Sequence, residues 1–412
     1  MTTAPDVHAD AQLAGIRVVD LTRILSGPFC TMLLADLGAD VIKIETPDGG
    51  DSVRTQGAMR DGLSWYFAAF NRNKRSAVID LRAPEGKALL ARLIATADVV
   101  VENYRPGVLD EMGFGPERLR ELRPDLVVCS ISGFGKTGPY RDRPMFDFIA
   151  QAMSGLMSVN GVDGGEPLRS GLPISDLIAG FYGALGVCAA LVRRHRTGAP
   201  EQVDTSLLDG LVSCSAYIGA ETLATGRPPR RTGNDHPIVA PYGLFSASDG
   251  DIAIAPANDQ VYQRLLDALD LAELKAHPDF ATNDLRVKHR ARINALVGAR
   301  IALGTQAEWI ERLNRAGVPC GRVMDFAEVF ADPQVAAREM VLSVDHPGHG
   351  TVRMPGFPVK FAQAPCRIRR PAPGLGADTD EVLREVGLDD AELADLRARG
   401  VIGARARRRA AS

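Results

Sequence analysis

Residues 15–45 read GIRVVDLTRILSGPFCTMLLADLGADVIKIE. The opening IRVVDL is apolar and β-branched, the texture of a strand. SGPFCTMLLADLG then reads as a short helix with Pro28 near its start, where a missing amide costs nothing, and DVIKIE reads as a second strand. Strand, helix and strand in one short stretch make a βαβ unit. The pattern continues with SAVIDL (76–81) as a strand, APEGKALLARLIATA (83–97) as an amphipathic helix, DVVVEN (98–103) as a strand, GPERLRELRP (115–124) as a helix and DLVVCSIS (125–132) as another strand. Alternation of this kind predicts an α/β fold: an open parallel sheet, doubly wound by helices in the Rossmann manner.

Past residue 150 the texture changes to long apolar helices, DLIAGFYGALGVCAALVRRHRTG (176–198) and then SLLDGLVSCSAYIGAETLATG (206–226). The run RPPRRTGNDHPIVAP (227–241) breaks them, because its Pro and Gly residues punctuate a chain and do not extend a helix. The expected division is a large domain over 1–225, a smaller α+β domain over 226–330, and a return to the large domain over 331–412. In the small domain YGLFSASDGDIAIAPA (242–257) reads as a hairpin turning at Asp249-Gly250, and TQAEWIERLNRAG (305–317) as a helix. The two chain ends, MTTAPDVHADAQ and the basic RARRRAAS, read as solvated segments.

At 412 residues the chain exceeds what one hydrophobic core serves, and 45% hydrophobic residues, 24% charged residues and a formal net charge of -3 describe an ordinary globular protein. That balance points to no nucleic-acid partner. The six cysteines are scattered without a CxxC pair, which argues against a zinc site or a disulfide framework and fits a reducing cytoplasm. The first residues lack the charged and apolar regions of a secretory signal. The longest uncharged stretch, Leu177 to Val192, is short for a membrane span, so a buried helix and no membrane partner are expected.

Two motifs tempt and fail. GFGKTG (133–138) has dinucleotide-loop spacing and follows a strand, but that loop must open a helix that receives a pyrophosphate on its N-terminus. Here PYRDRP follows, and Pro139 and Pro144 hinder a helix, so a glycine-bearing active-site loop is the better account. The seven histidines are dispersed, and His236 beside Asp235 reads as a turn residue rather than a catalytic or metal-binding one. No metal is expected.

Asp176, at the head of the long uncharged helix, reads first as an N-cap accepting bonds from free backbone amides. The same amides and the positive end of the helix dipole would keep a carboxylate ionised, partly desolvated and available as a nucleophile. Gly180, Gly183 and Gly186 follow at spacing three and leave one helix face bare, the mark of a packing seam.

The residues then match a known pattern. The segments at 15–45, 67–86 (FAAFNRNKRSAVIDLRAPEG), 97–115 (ADVVVENYRPGVLDEMGFG), 130–140 (SISGFGKTGPY), 171–198 and 316–334 (AGVPCGRVMDFAEVFADPQ) resemble, in order, the family III CoA-transferases. That group includes formyl-CoA and carnitine CoA-transferases and a divergent branch of α-methylacyl-CoA racemases. The resemblance implies that Asp176 is the nucleophile, forming an acyl-aspartyl anhydride and then an enzyme-CoA thioester. It implies no permanently bound cofactor, a CoA thioester and a small carboxylic acid as substrates, and an interlocked, ring-like homodimer whose large domain uses both chain ends. It places CoA against Ile24, Leu25 and Ser26, against Ile79 through Arg82, and against Asn103, Tyr104 and Arg105, with Tyr66 and Asp147 lining the active site. Taken alone, Tyr66 reads as core and Asp147 as a cap.

The chain departs from the formyl-CoA enzymes at Leu25, at Thr46, Glu111 and Pro144 where they carry basic residues, and in lacking their glycine-rich loop before Ala255. These departures point away from formyl-CoA and oxalate; a dicarboxylate such as succinate is the acceptor expected by analogy. No basic cluster can be placed in the pocket from sequence. The racemase alternative needs a second acid/base group, a histidine in an HD pair; this chain has Phe146-Asp147, and phenylalanine carries no proton to transfer. A non-catalytic acyl-CoA-binding protein is the remaining alternative, against which the retained Asp176 argues.

Overall fold

A computed structural model describes residues 10–405. Most of the N-terminal arm and basic tail lies outside them. The chain divides into two compact units: residues up to Leu156 with Arg169–Ala224 and everything from Ala336, and Met157–Leu168 with Thr225–Val335. The division between Ala224 and Thr225 falls beside the expected boundary. The return begins nearer 335 than 330, and the expected large domain loses residues 157–168 to the small unit.

In the large unit the elements run β1 (Arg17–Asp20), α1 (Ser26–Asp36), β2 (Asp40–Glu45), α2 (Trp65–Asn71), β3 (Lys74–Val78), α3 (Pro84–Ala95), β4 (Val99–Glu102), α4 (Pro116–Leu122) and β5 (Val127–Ser132). They continue with α5 (Asp147–Met153), α6 (Ile174–Thr197), β6 (Glu201–Ser206) and α7 (Leu207–Ser213). The six strands form one sheet in the order β3-β2-β1-β4-β5-β6, every pair parallel. Period-two alternation sends Val19, Ile42, Val100 and Val128 to one face, and Val18, Val41, Val99 and Val127 to the other. Helices cover both faces, which is why these strands read as continuous apolar runs. The sixth strand, EQVDTS, was not anticipated: it lies at the sheet edge, where alternate residues meet solvent and the apolar signal vanishes.

The small unit holds an antiparallel sheet of β7 (Gly243–Ala247), β8 (Gly250–Ile254) and β9 (Cys320–Arg322). Helices α8 (Asp259–Ala268), α9 (Arg290–Ile301) and α10 (Gln306–Arg315) pack on it around Phe245, Tyr262, Val297 and Leu313. The hairpin turns at Asp249-Gly250 as read, with Gly250 at φ +151°. A reciprocal capping box of Thr305 and Glu308 starts α10.

The returning chain forms a hairpin of β10 (Val341–His346) and β11 (Gly350–Pro355), then α11 (Thr379–Glu385) and α12 (Asp390–Ala398). Val382, Leu383, Leu393 and Leu396 join the core beneath α3, so the large unit is built from both chain ends.

Helix α6 corrects one expectation. Its Ala179, Gly180, Gly183, Ala184, Val187 and Ala190 are buried, but Phe181 and Leu185 are each 54% exposed and Val192 61% exposed in the single chain. The helix is long and apolar enough to cross a membrane by length and composition. Its glycine-bearing face is occupied instead by this protein's own α1 and sheet.

Candidate active site

In a sheet ordered 3-2-1-4-5-6, the connections after β1 and β4 leave in opposite directions, and a crevice opens between them at the strands' carboxyl ends. The segments Ile24–Ser26 and Asn103–Arg105 occupy that position. Asn103 ties them together: its Oδ1 accepts from Arg23 N at 2.8 Å and its Nδ2 donates to Arg23 O at 2.8 Å. The Arg23 guanidinium lies 5.6 Å from the centre of the half-buried Tyr104 ring.

The first loop is held in an unusual shape. Ile24 has φ +69°, a left-handed conformation that a β-branched side chain rarely adopts. A buried polar network braces it. The Ile24 amide donates to both carboxylate oxygens of Asp51, each at 3.2 Å, and Lys43 Nζ lies 3.0 Å from Asp51 Oδ2 while donating to Thr22 O at 2.8 Å. Lys74 Nζ bonds Asp20, Asn71 and Pro28 O at 2.9–3.1 Å. All four ionic side chains are fully buried. Two cations against two carboxylates cancel in charge, and the backbone acceptors complete the cations' bonding, which is the condition for holding charges in a core. Burial draws the Lys74 ammonium down to about 8 despite Asp20.

The loop delivers Ser26 to Asp176. Gly180 lies one turn beyond Asp176 on α6, and a methyl group there would come within 2.5 Å of Ser26 O. At Gly183 it would meet Ile131 at 2.9 Å and Cys30 Sγ at 3.1 Å, and at Gly186 it would meet Val203 at 2.6 Å. The three glycines are the packing seam they resembled, and the seam brings the starts of α1 and α6 together so that Ser26 and Asp176 line one cavity, the Ser26 hydroxyl favouring the Asp176 carboxylate.

Asp176 is not the N-cap. Helix α6 begins at Ile174 behind Pro173, which makes no side-chain cap, and the early amide of Ser175 is taken by Asp147 Oδ1 at 3.0 Å. Asp147 also accepts from Ser175 Oγ at 2.8 Å and from Gln151 Nε2 at 2.7 Å. It therefore caps a neighbouring helix rather than facing the cavity with a free oxygen. Nor is Asp176 held firmly ionised: burial, and then the negative charge of Asp147, push its carboxyl up to about 7 against the opposing Ser26 bond. The helix dipole loses to desolvation here.

Tyr66, on α2, is half-buried against the cluster of Val53, Phe67 and Ala68, on which Ile24 also packs. Burial and the charges of Asp176 and Asp51 push its phenol up to about 12, so it remains a neutral donor. A cavity of about 220 Å³ gathers Ile24, Leu25, Ser26, Asn103, Tyr104, Arg105 and Asp176. It also gathers Phe146, at the position of the racemase histidine, and Arg141 and Arg143, which sequence reasoning had not placed there. The signal lay in the rejected GFGKTG stretch: Gly133 lines the cavity, a methyl there would strike Met145 at 2.5 Å, and no helix follows Gly138.

Ile79 and Arg82 are not in this cavity. Ile79 is buried and bridges Ile402 of the returning chain. Arg82 binds Asp80 at 2.9 Å and Asp48 at 2.7 Å, beside Arg405.

This arrangement, a desolvated carboxyl in a switch-point crevice with guanidinium groups at its margin, suits covalent chemistry on an anionic thioester. The model of CoA-transferase family III matches residues 13–379. The chain is 37% identical over 399 residues to a succinyl-CoA:glutarate CoA-transferase of Homo sapiens, covering 96% of this chain and 91% of that one. It is 40% identical over 383 residues to a succinate–glutarate CoA-transferase of Agrobacterium fabrum, covering 91% and 95%. A CAIB/BAIF family protein of Brucella suis, solved by crystallography, is 39% identical with a TM-score of 0.81 over 91% of this chain and 99% of that one. The chain belongs to family III of the CoA-transferases, and it is an acyl-CoA:carboxylate CoA-transferase.

Proposed function

We propose that this enzyme moves CoA between short dicarboxylates, with succinyl-CoA as donor and a five-carbon diacid such as glutarate as acceptor, through covalent intermediates on Asp176. The observation that carries the reading is the Asp176 carboxyl, raised to about 7 in the crevice where the CoA segments converge. A carboxylate that its surroundings solvate poorly is a stronger nucleophile than one in water. Relatives named for succinate and glutarate supply the substrate class.

The ionised Asp176 attacks the thioester carbonyl. The C–S bond breaks, giving an acyl-aspartyl anhydride and CoA thiolate. The thiolate attacks the aspartyl carbonyl and releases the first carboxylate, leaving Asp176 as its CoA thioester. The acceptor carboxylate attacks that carbonyl and expels the thiolate again. The thiolate then takes the new acyl group and frees Asp176. No proton is gained or lost over the cycle. Each step exchanges one activated carboxyl for another, so the protein's work is orientation and exclusion of water. Ser26 orients the nucleophile, and Asp147 fixes the first turn of α6. Racemisation lacks a partner: Phe146 cannot carry a proton, and Asp147 is spent on Ser175 and Gln151.

The reading extends to an interlocked homodimer in the cytoplasm. The apolar side chains of Phe146, Phe148, Phe181 and Leu185, each more than half exposed, are surface that a second copy would cover, and all six cysteines are free. Subunits that exchanged freely in native buffer would remove the interlocking. The central experiment incubates the enzyme with succinyl-CoA and a panel of acids, follows new acyl-CoA by mass spectrometry and traps the intermediate with hydroxylamine. Transfer to diacids with label on Asp176 is the expected result; turnover with no adduct at Asp176 would refute the mechanism.

A further inference from the structure

We infer that Arg143 is the residue that recognises the distal carboxylate of the dicarboxylate substrate, an inference that rests on the dicarboxylate reading above. Three arginines line the cavity around Asp176, and only their surroundings separate their roles. Arg141 is paired with Asp142 at 3.3 Å. Arg105 directly follows Asn103 and Tyr104 in the segment that Asn103 ties to the β1 loop and that the family resemblance assigns to CoA. Arg143 has no carboxylate partner among the described residues, although its guanidinium is centred 3.7 Å over the Tyr140 ring. A guanidinium stacked by its face keeps its in-plane N–H fork for a planar oxyanion.

Its position is braced on both sides. The Arg143 amide donates to Tyr140 O at 2.9 Å. Two residues on, Met145 sits against Gly133 so closely that no side chain fits at 133. Four residues on, Asp147 binds the first turn of the helix that carries Asp176. Arg143 is thus tied to the helix that carries the nucleophile through the bonds of Asp147 to Ser175, which suits a substrate that presents a carboxyl group at each end. Phe146 and Met145 supply apolar wall beside Arg143 for the methylene chain between them.

Phosphate groups of CoA offer the same oxyanion chemistry, and the experiment separates the two. Arg143→Gln and Arg143→Lys are compared with wild type, with succinyl-CoA held saturating, using glutarate and pentanoate as acceptors of equal chain length and free CoA as inhibitor. A charge-assisted pair is worth a factor of about 10–100 in binding. The expected result is a rise of that size in the KM for glutarate in Arg143→Gln, with kcat little changed, the inhibition constant of CoA unmoved and part of the loss restored by Arg143→Lys. Where wild type uses pentanoate, its kcat/KM should be the same in Arg143→Gln. A weaker inhibition by CoA would make Arg143 a phosphate contact and overturn the assignment, as would unchanged glutarate kinetics. Wild type that turned over pentanoate as well as glutarate would instead overturn the dicarboxylate reading itself.

Discussion

Three strand ends of one sheet carry segments that the family resemblance assigns to CoA, and the fold treats the β3 end differently from the β1 and β4 ends. After β1 and β4 the connections diverge, and the opening holds a carboxyl pushed up to about 7 with Arg105 and Arg143 free of carboxylate partners among the described residues. After β3 the outer strand is covered by the returning chain: the Asp80 amide donates to Val401 O at 2.8 Å, and Arg82 and Arg405 both bind Asp48 and Asp80. There the side-chain bond from Arg82 holds the Asp80 carboxyl down at about 2. Charges that satisfy one another are structure; charges left unsatisfied beside a cavity await a ligand.

Asp176→Asn tests the unsatisfied side most severely. Turnover should fall by about a thousandfold or more, because the amide cannot form the anhydride. Stability should move the other way. The folded-state carboxyl titrates above its unfolded value, so the fold prefers the acid form; this stability is complete below about pH 4 and is lost as pH rises through about 7. The cost of ionisation is at most on the order of 4 kcal/mol, and the variant escapes it. Its melting temperature should therefore exceed that of wild type at pH 8 and match it near pH 4. A variant that was inactive and less stable at pH 8 would mean that Asp176 is a structural anchor.

Gly180→Ala probes how the site is held. Alanine favours a helix, but its Cβ would press on the Ser26 carbonyl, which is backbone and cannot turn aside. Overpacking of this kind costs about 1–3 kcal/mol, and separating α1 from α6 moves Ser26 off Asp176. A loss of about a hundredfold in kcat, with a lower melting temperature, is the expected outcome. Unchanged kcat would show that the Ser26 bond does not matter to the chemistry.

A smaller effect isolates the charge of Asp147. In wild type kcat/KM should climb with pH around about 7 as Asp176 ionises. Asp147→Asn keeps an oxygen to accept from Ser175 while removing the negative charge that raises the Asp176 carboxyl, so the midpoint of the profile should move to lower pH. A midpoint that stayed in place would leave burial as the only cause.

The contrast between the β1 and β4 ends and the β3 end also marks what the sequence could tell. Central strands of the sheet were legible because both faces are buried and the residues between turns are uniformly apolar. EQVDTS was not, since an edge strand satisfies the same ladder with half its side chains in water. Ile24–Ser26 and Asn103–Arg105 could be placed because a parallel sheet's switch point follows from strand order. The ionisation of Asp176 could not: an early helix position favours the carboxylate, and only the packing of α1 and the approach of Asp147 make desolvation prevail. Arg143 was hidden for a related reason. The loop read as an active-site loop did not reveal which of its residues face the nucleophile, because Gly133 meets Met145 only in the folded chain. The separation of 157–168 from the large unit likewise has no local signature, since chain excursions between units are set by tertiary packing.

Arg82→Ala carries the least effect and separates resemblance from structure most directly. The family pattern assigns this residue to CoA, which predicts that the inhibition constant of free CoA rises about tenfold when a charge-assisted phosphate contact is lost. In the structure the guanidinium is two-thirds exposed but already committed to Asp80 and Asp48, with Arg405 holding the same two carboxylates. A phosphate would have to displace both aspartates, trading ion pairs in water for another ion pair in water, and such exchanges yield little. The expected change is therefore below about threefold, with the salt dependence of CoA inhibition unaltered. A tenfold change, steep in salt, would show that the β3 end opens when CoA arrives and that its aspartates hold the place of the nucleotide phosphates until then.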